Sequence, residues 1–323
     1  MNNDKRDLQN SRTSLDAEKA ILEMKHPVDY LRMNEYIDVF MRRYQFIETT
    51  SIGKTIMGRD IPVICLGSPE ARRAVLYVGS HHGMEWITTA ILLRFINEYC
   101  ECLSNSRRMY NMNMSFLFEN RRIYVVPMLN CDGVELQING LCEENPMYDR
   151  LISMNSGSLD FSRWQANVRG VDLNHNYNAG FAEYKQLEAA ADIFGGAPTR
   201  FSGEAPESEP ETAALCNFIR YMEIRMIFAL HTQGEEIFYT SGDVVSPRSL
   251  QIARLLSRMC GYKLAEPEGM AAYGGLTDWF IREFNKPSFT IECGKGENPL
   301  PVSDFFEIYS RLREMLFTSP ILG

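Results

Sequence analysis

The sequence predicts a single α/β domain whose mixed, largely parallel central sheet is covered by helices on both faces. Short apolar runs alternate with longer helical stretches, the pattern of strands joined by helical crossovers. Apolar residues make up 45% of the 323 and charged ones 23%, enough to fill a large core. No internal repeat, low-complexity tract or Pro/Gly/Ser-rich linker marks a second domain.

Taken in order, residues 1–27 read as a polar tail running into a helix over 17–24, with Ser14 and Asp16 as candidate caps. The folded domain is placed at 28–323. Its first element is an amphipathic helix within 28–46, where Tyr30, Leu31, Tyr36, Ile37, Phe40, Met41 and Tyr44 recur at helical spacing. Strands are predicted over 61–66, 74–78, 123–128, 225–230 and 288–291. Helices are predicted over 86–103, 209–221, 249–260, 277–284 and 303–316. The stretch 140–168 has weak periodicity and mixed polarity, and is predicted as a long functional loop.

The formal charge of -9 repels phosphate backbones, which argues against nucleic acid as a partner. No apolar stretch approaches the roughly 20 residues a spanning helix needs, so no membrane role is expected. The N-terminus lacks the apolar middle of a secretory signal, and a cytoplasmic location is the expectation. Eight scattered cysteines without a C-x-x-C pair read as buried thiols in a reducing compartment.

Histidine is scarce, with five in the chain: His26, His81, His82, His175 and His231. His81 and His82 follow the run AVLYVGS, with Glu85 three residues on as Trp86 opens a helix. His231 follows RMIFAL, and Glu292 follows SFTI. Three predicted strands thus end in residues able to bind a metal or move a proton, and ligands bind beyond the carboxyl ends of strands in open α/β sheets. Two imidazoles and a carboxylate suit one Zn2+ per chain, with a fourth position left for water. Such a centre lowers the pKa of water from ~16 toward ~7. A separate carboxylate must still carry the proton, and Glu292 is the candidate. Taken singly, His-x-x-Glu is a weak signal, and a lone strand-end histidine is more often a hydrogen-bonded core residue.

The ordered combination resembles the carboxypeptidase A-like zinc metallopeptidases, over about residues 51–316. SIGKTIMGRDIPVICLG resembles the opening strand segment of that family. GSHHGMEWIT matches the first metal motif and implies His82 and Glu85 as ligands, with His81 beside them but matching no ligand. PMLNCDGVE, with Asn130, Asp132 and Gly133, matches a supporting loop. RGVDLNHNY matches the substrate-binding segment, with Asn174 on the asparagine position. ESEPET, with Ser208 and Glu209, resembles the start of the next helix. ALHTQGEE implies His231 as third ligand, and FTIECG places Glu292 on the general base. The resemblance thus implies a carboxypeptidase A-like fold and hydrolysis of a peptide bond.

Departures bear on substrate. His175 stands where ordinary members carry the arginine that pairs with a substrate's terminal carboxylate, and a neutral imidazole cannot make that forked contact. Gln165 stands where a carbonyl-polarising arginine is usual, with Arg163 or Arg169 as alternative donors. Met270 occupies the place of the flexible tyrosine, with Tyr273 close by. Together with HTQGEEIFY, YGGLTDWF and GKGENPLPVSDF, these changes resemble a bacterial branch, the γ-D-glutamyl-meso-diaminopimelate peptidases, and imply a small murein peptide as substrate. Gln165, Asn174, His175 and Tyr273 are the implied substrate-binding residues. Rival readings are a conventional metallocarboxypeptidase, an N-acyl amino acid deacylase and a non-catalytic binder of murein fragments. Trp86, Trp164 and Trp279 read as packing residues, Asp132 and Asp172 as carboxylates that fix loops or orient ligands, and the 17 methionines as core filler. Glu235 and Glu236 read either as a solvated loop or as a receptor for a substrate amine.

Overall fold

The computed structural model describes residues 24–323. The helix expected over 17–24 and its caps Ser14 and Asp16 lie outside the described residues, save Met24, which is not helical.

The strands are β1 (Glu48–Lys54), β2 (Asp60–Leu66), β3 (Ala74–Val78), β4 (Arg108–Met109), β5 (Met112–Asn113), β6 (Arg122–Val126), β7 (Ile224–His231), β8 (Glu236–Phe238), β9 (Lys263–Ala265) and β10 (Ser288–Glu292). Eight of them form one sheet in the order β1-β2-β6-β3-β7-β10-β8-β9, while β4 and β5 make a separate small hairpin. Central pairs β6–β3, β3–β7 and β7–β10 are parallel, as is β8–β9 at one edge. The antiparallel pairs are β1–β2, β2–β6 and β10–β8. The sheet is therefore mixed and mostly parallel, as the sequence predicts.

Helices α1 (Tyr30–Arg43), α2 (Ile87–Ser104), α3 (Met114–Asn120), α4 (Cys131–Asn139), α5 (Tyr148–Met154), α6 (Phe181–Ala190), α7 (Pro210–Tyr221), α8 (Ser249–Cys260), α9 (Leu276–Phe284) and α10 (Phe305–Leu322) complete the domain. Strand alternation divides the core between the two faces. On β3, Val75 and Tyr77 pack with α1, α2, α8 and α10, while Ala74, Leu76 and Val78 pack with α7 and α9. All five residues of β3 are buried, as befits a central strand covered twice.

Two predictions differ from the structure by more than a residue or two. The region 140–168 is not loop throughout: it contains α5, and Leu151, Phe161, Trp164, Ala166 and Val168 build a small core of their own with Leu136. Seven residues are too few to show helical periodicity in the sequence. The last helix runs on from 316 to Leu322 with Pro320 inside it. Pro320 has no N–H to give the carbonyl of Leu316, and the Tyr77 hydroxyl of β3 donates to that carbonyl instead, at 2.9 Å. Among the described residues, no helix is long and apolar enough to cross a membrane. All the cysteines but Cys142 are buried, and the three tryptophans are buried, which agrees with their reading as packing groups.

Candidate metal centre and active-site cleft

The parallel neighbours β3, β7 and β10 deliver their carboxyl ends to one edge of the sheet. His231 closes β7 and Glu292 closes β10, and these two residues face each other in register. Beyond β3 the chain runs through Gly79 and Ser80 to His82, then makes one 3-10 turn over Gly83–Glu85 before α2 begins.

That turn is held from several sides. Ser80 adopts positive φ, its N–H donates to the Thr88 hydroxyl at 2.8 Å, and its own hydroxyl donates to the Glu85 carbonyl at 3.2 Å. Asn130, which caps α4, donates its amide to the carbonyls of His81, Gln165 and Ala166 at 3.1, 3.2 and 3.1 Å. Its Oδ1 accepts from Gly133 N–H at 2.9 Å. One asparagine thus ties the His-x-x-Glu turn, α4 and the 165–166 strip together. Asp132 accepts from Thr55, from the Met57 N–H and from Arg59, so it fixes the β1–β2 turn.

One ligand atom from each of His82, Glu85 and His231 lies within 4.8 Å of the others, and all three residues are buried. His82 Nδ1 and His231 Nδ1 stand 3.3 Å apart, and each approaches one oxygen of Glu85, at 2.9 and 3.1 Å. Tetrahedral bonds of about 2.0–2.1 Å put donor atoms about 3.3 Å apart, so this donor set fits zinc. Electrostatics agree. Burial works against a charge on His82, yet Glu85 and Asp172 hold it well above the usual imidazole range, so the site stabilises a cation. Burial would raise Glu85, but the fields and hydrogen bonds of His82 and His231 bring it down to about 2. Glu292 goes the other way, pushed up to about 8 by desolvation and by the charge of Glu85.

Asp172 stands behind His82. Its Oδ1 accepts from His82 Nε2 and from the Asn174 N–H, both at 3.2 Å. Its Oδ2 accepts from Gln165 Nε2 at 3.2 Å and from the Arg200 N–H at 3.1 Å. A proton fixed on His82 Nε2 leaves the Nδ1 lone pair for a metal. His81 is fully buried and stacks at 28° over His231, with ring centres 5.2 Å apart. Its Nε2 meets the Tyr177 hydroxyl at 3.0 Å, and burial together with the neighbouring imidazoles holds it well below the usual range, as a neutral ring.

In front of these groups lies a cavity of about 260 Å³. Its wall contains Gln165, Asn174, His175 and Glu292 from the predicted set, beside the three metal-site residues. Tyr273 is not in that wall: its carbonyl accepts from His175 Nδ1 at 2.8 Å, and its ring lies against Gly180. Met270 is likewise outside it, whereas the neighbouring Ala271 is inside. Arg163 pairs with Glu297 at 2.6 Å and Arg169 sits 3.6 Å from Glu209, and neither alternative donor is in the cavity wall. Glu235 is neither solvated nor aimed at the cavity, being paired with Arg311 and, at 2.7 Å, with Lys295.

Sequence reasoning missed Thr240, Thr277, Asp278 and Thr290, which also line the cavity. The hydroxyls of Thr277 and Thr290 meet at 2.9 Å across α9 and β10. Thr277 and Asp278 lie in the YGGLTDWF segment, but nothing in the sequence points the threonines inward. Asn298 was likewise unread. It crosslinks to Thr232 through two hydrogen bonds of 2.7 and 2.8 Å and lines the same cavity.

Paired histidines and a carboxylate at the end of a mixed sheet, with a second carboxylate facing them, define a metal-dependent hydrolase. The chain belongs to the zinc carboxypeptidase family, whose pattern matches residues 33–314. It is 36% identical over 282 residues to gamma-D-glutamyl-L-diamino acid endopeptidase 1 of Lysinibacillus sphaericus, spanning 87% of this chain and 69% of that one. It is 27% identical over 259 residues to carboxypeptidase B of Rattus norvegicus, spanning 75% and 56% respectively. Among solved structures, bovine thrombin-activatable fibrinolysis inhibitor superposes with a TM-score of 0.68 at 19% identity, covering 92% of this chain and 98% of that one. The carboxypeptidase A-like fold and the metallopeptidase class expected from the sequence both stand.

Proposed function

We propose that this chain hydrolyses the amide bond between γ-D-glutamate and meso-diaminopimelate in small murein peptides, with His82, Glu85 and His231 holding zinc and Glu292 as general base. The observation that carries the reading is the meeting of the three donor atoms within 4.8 Å, with Glu292 beside His231 on the adjoining strand. The substrate class is supported by the relative named for γ-D-glutamyl-L-diamino acid cleavage, which aligns along most of the chain.

Zinc, when bound, supplies Lewis acidity that polarises a carbonyl and acidifies water. The chain's own groups do the rest. Glu292 takes the proton of the attacking water and returns it to the departing amine. Gln165 spends one amide hydrogen on Asp172 and accepts from the Thr199 hydroxyl at 2.8 Å, so its second hydrogen is free to meet the developing oxyanion. Asp172 keeps the His82 ring in its tautomer. Asn174 and His175 bind the amine side of the cleaved bond.

Glu292→Gln tests the scheme. The variant should keep zinc at about one ion per chain while turnover of L-Ala-γ-D-Glu-meso-diaminopimelate falls by ~10²–10⁴-fold. Near-normal hydrolysis would remove Glu292 from its role, and wild-type protein that leaves this tripeptide intact while releasing residues from ordinary α-peptides would overturn the substrate assignment.

A further inference from the structure

A second cavity lies at the far end of the strands that carry the metal-site residues. Its volume is about 320 Å³, and four cations from four separate segments line it: Arg73, Arg225, Arg248 and Lys286. Arg73 directly precedes β3, Arg225 is the second residue of β7, and Lys286 stands two residues before β10. A local irregularity aims one of them. Ala74 pairs with Ile224 and Val75 with Met226, so Arg225 is an extra residue with no partner on β3, an arrangement that re-aims a side chain. Arg248 is the N-cap of α8 at positive φ, no side chain caps that helix, and its first turn holds no acid. The partial positive charge of the helix end adds to the four formal ones.

Among the described residues, no carboxylate forms an ion pair with any of the four, and Gly323, which lies in the same wall, makes none with them. Two of them reach only backbone carbonyls: Lys286 Nζ donates to Ile224 at 2.7 Å, and Arg248 to Leu322 at 3.4 Å. Positive charge is crowded as a result. Burial, and then the charge of Arg225, lower the Lys286 ammonium from its ordinary value against the opposing field of Glu223. Burial and the charge of Arg73 act on Arg121 in the same sense. An anion in the cavity relieves both effects, since it replaces lost solvation and cancels repulsion. The chain as a whole carries -9, so four uncompensated cations around one concavity depart from its general surface. Met226 and Ile252 add an apolar wall.

We propose that this cavity binds a small organic phosphate, its phosphate held by Arg73, Arg225, Arg248 and Lys286 and its organic part against Met226 and Ile252. A phosphate monoester brings nearly two negative charges, and guanidinium groups meet its oxygens with paired donors. The site is separate from the metal centre and stands whether or not the peptidase assignment holds.

Calorimetric titration of the zinc-loaded protein with phenyl phosphate, inorganic phosphate and phenol tests this. Phenyl phosphate should bind saturably below about 10 mM, inorganic phosphate more weakly, and phenol not at all. Because phosphate oxygens also bind zinc, the deciding comparison is the double variant Arg73→Ala/Arg225→Ala. It should lose affinity for phenyl phosphate about tenfold or more while zinc content and thermal midpoint stay at wild-type values. Arg73→Lys/Arg225→Lys, which keeps the charge, should lose less. Equal affinity in wild type and the alanine variant overturns the proposal, as does the absence of saturable binding in this range. Phosphatidylglycerol vesicles test a lipid headgroup as the source of the phosphate. Sedimentation of the protein with them, without binding of phenyl phosphate, overturns the small-molecule assignment.

Discussion

At the level of single residues, the groups that touch the metal position depend on groups that do not. Asp172 accepts four hydrogen bonds, one of them from His82, and these bonds with the charge of His82 outweigh the burial of its carboxylate and keep it charged. Asp172→Asn should therefore weaken zinc binding by about 10–100-fold, because it removes the charge that orders the His82 ring. Competition with a chromophoric chelator measures this, and an unchanged zinc affinity would mean that the 3-10 turn alone sets the imidazole. His82, Glu85, His231 and Glu292 were legible in the sequence because each ends or follows an apolar run whose length marks a strand. Asp172 was read correctly as a supporting carboxylate from its motif alone. The threonine lining was not legible, since a threonine on a buried strand looks the same whether it faces a helix or a cleft.

At the level of elements, two backbones come very close to the turn carrying His82 and Glu85. A Cβ on Gly83 would stand 2.5 Å from the Gly133 carbonyl oxygen and 2.8 Å from that of Trp164. Neither neighbour can yield by rotating a side chain. Gly83→Ala should cost about 1–3 kcal/mol and lower zinc occupancy, since relief of the clash displaces the two ligands flanking it. Denaturant titration with metal analysis checks this, and wild-type values for both would show that the turn has slack. The central strands were predicted nearly to the residue because they are buried on both faces and so uniformly apolar. The three-residue strands β8 and β9 were not predicted. At that length no alternation is visible, and their pairing with β10 and with each other decides them.

Across the whole molecule, the clearest consequence is a pH dependence of stability seated away from the cleft. Glu211, in the first turn of α7, is fully buried and accepts from the Ile56 N–H at 3.3 Å in the β1–β2 turn. Burial, with the charge of Asp132 also contributing, pushes its carboxyl from 4.5 to about 8. Between those two values the folded state holds a proton that the unfolded state has released. This group's contribution is then full below about pH 4.5 and is lost as pH rises toward 8, at up to about 1.4 kcal/mol per pH unit. Glu211→Gln should remove that slope and gain stability relative to wild type at pH 8. Denaturant unfolding at pH 5 and pH 8 gives the comparison, and parallel losses in both proteins would refute it.

What the sequence determined by itself was the class of fold, the order of its main elements and four candidate site residues at or just beyond the strand ends. All of these follow from local apolar patterning and short motifs. Tertiary structure alone decided that β3, β7 and β10 lie side by side, and hence that groups more than a hundred residues apart share one centre. It also decided what His175 is. In the chain it is a histidine in place of an arginine, and only the Tyr273 carbonyl, brought near by folding, fixes its proton on one nitrogen and leaves the other as an acceptor.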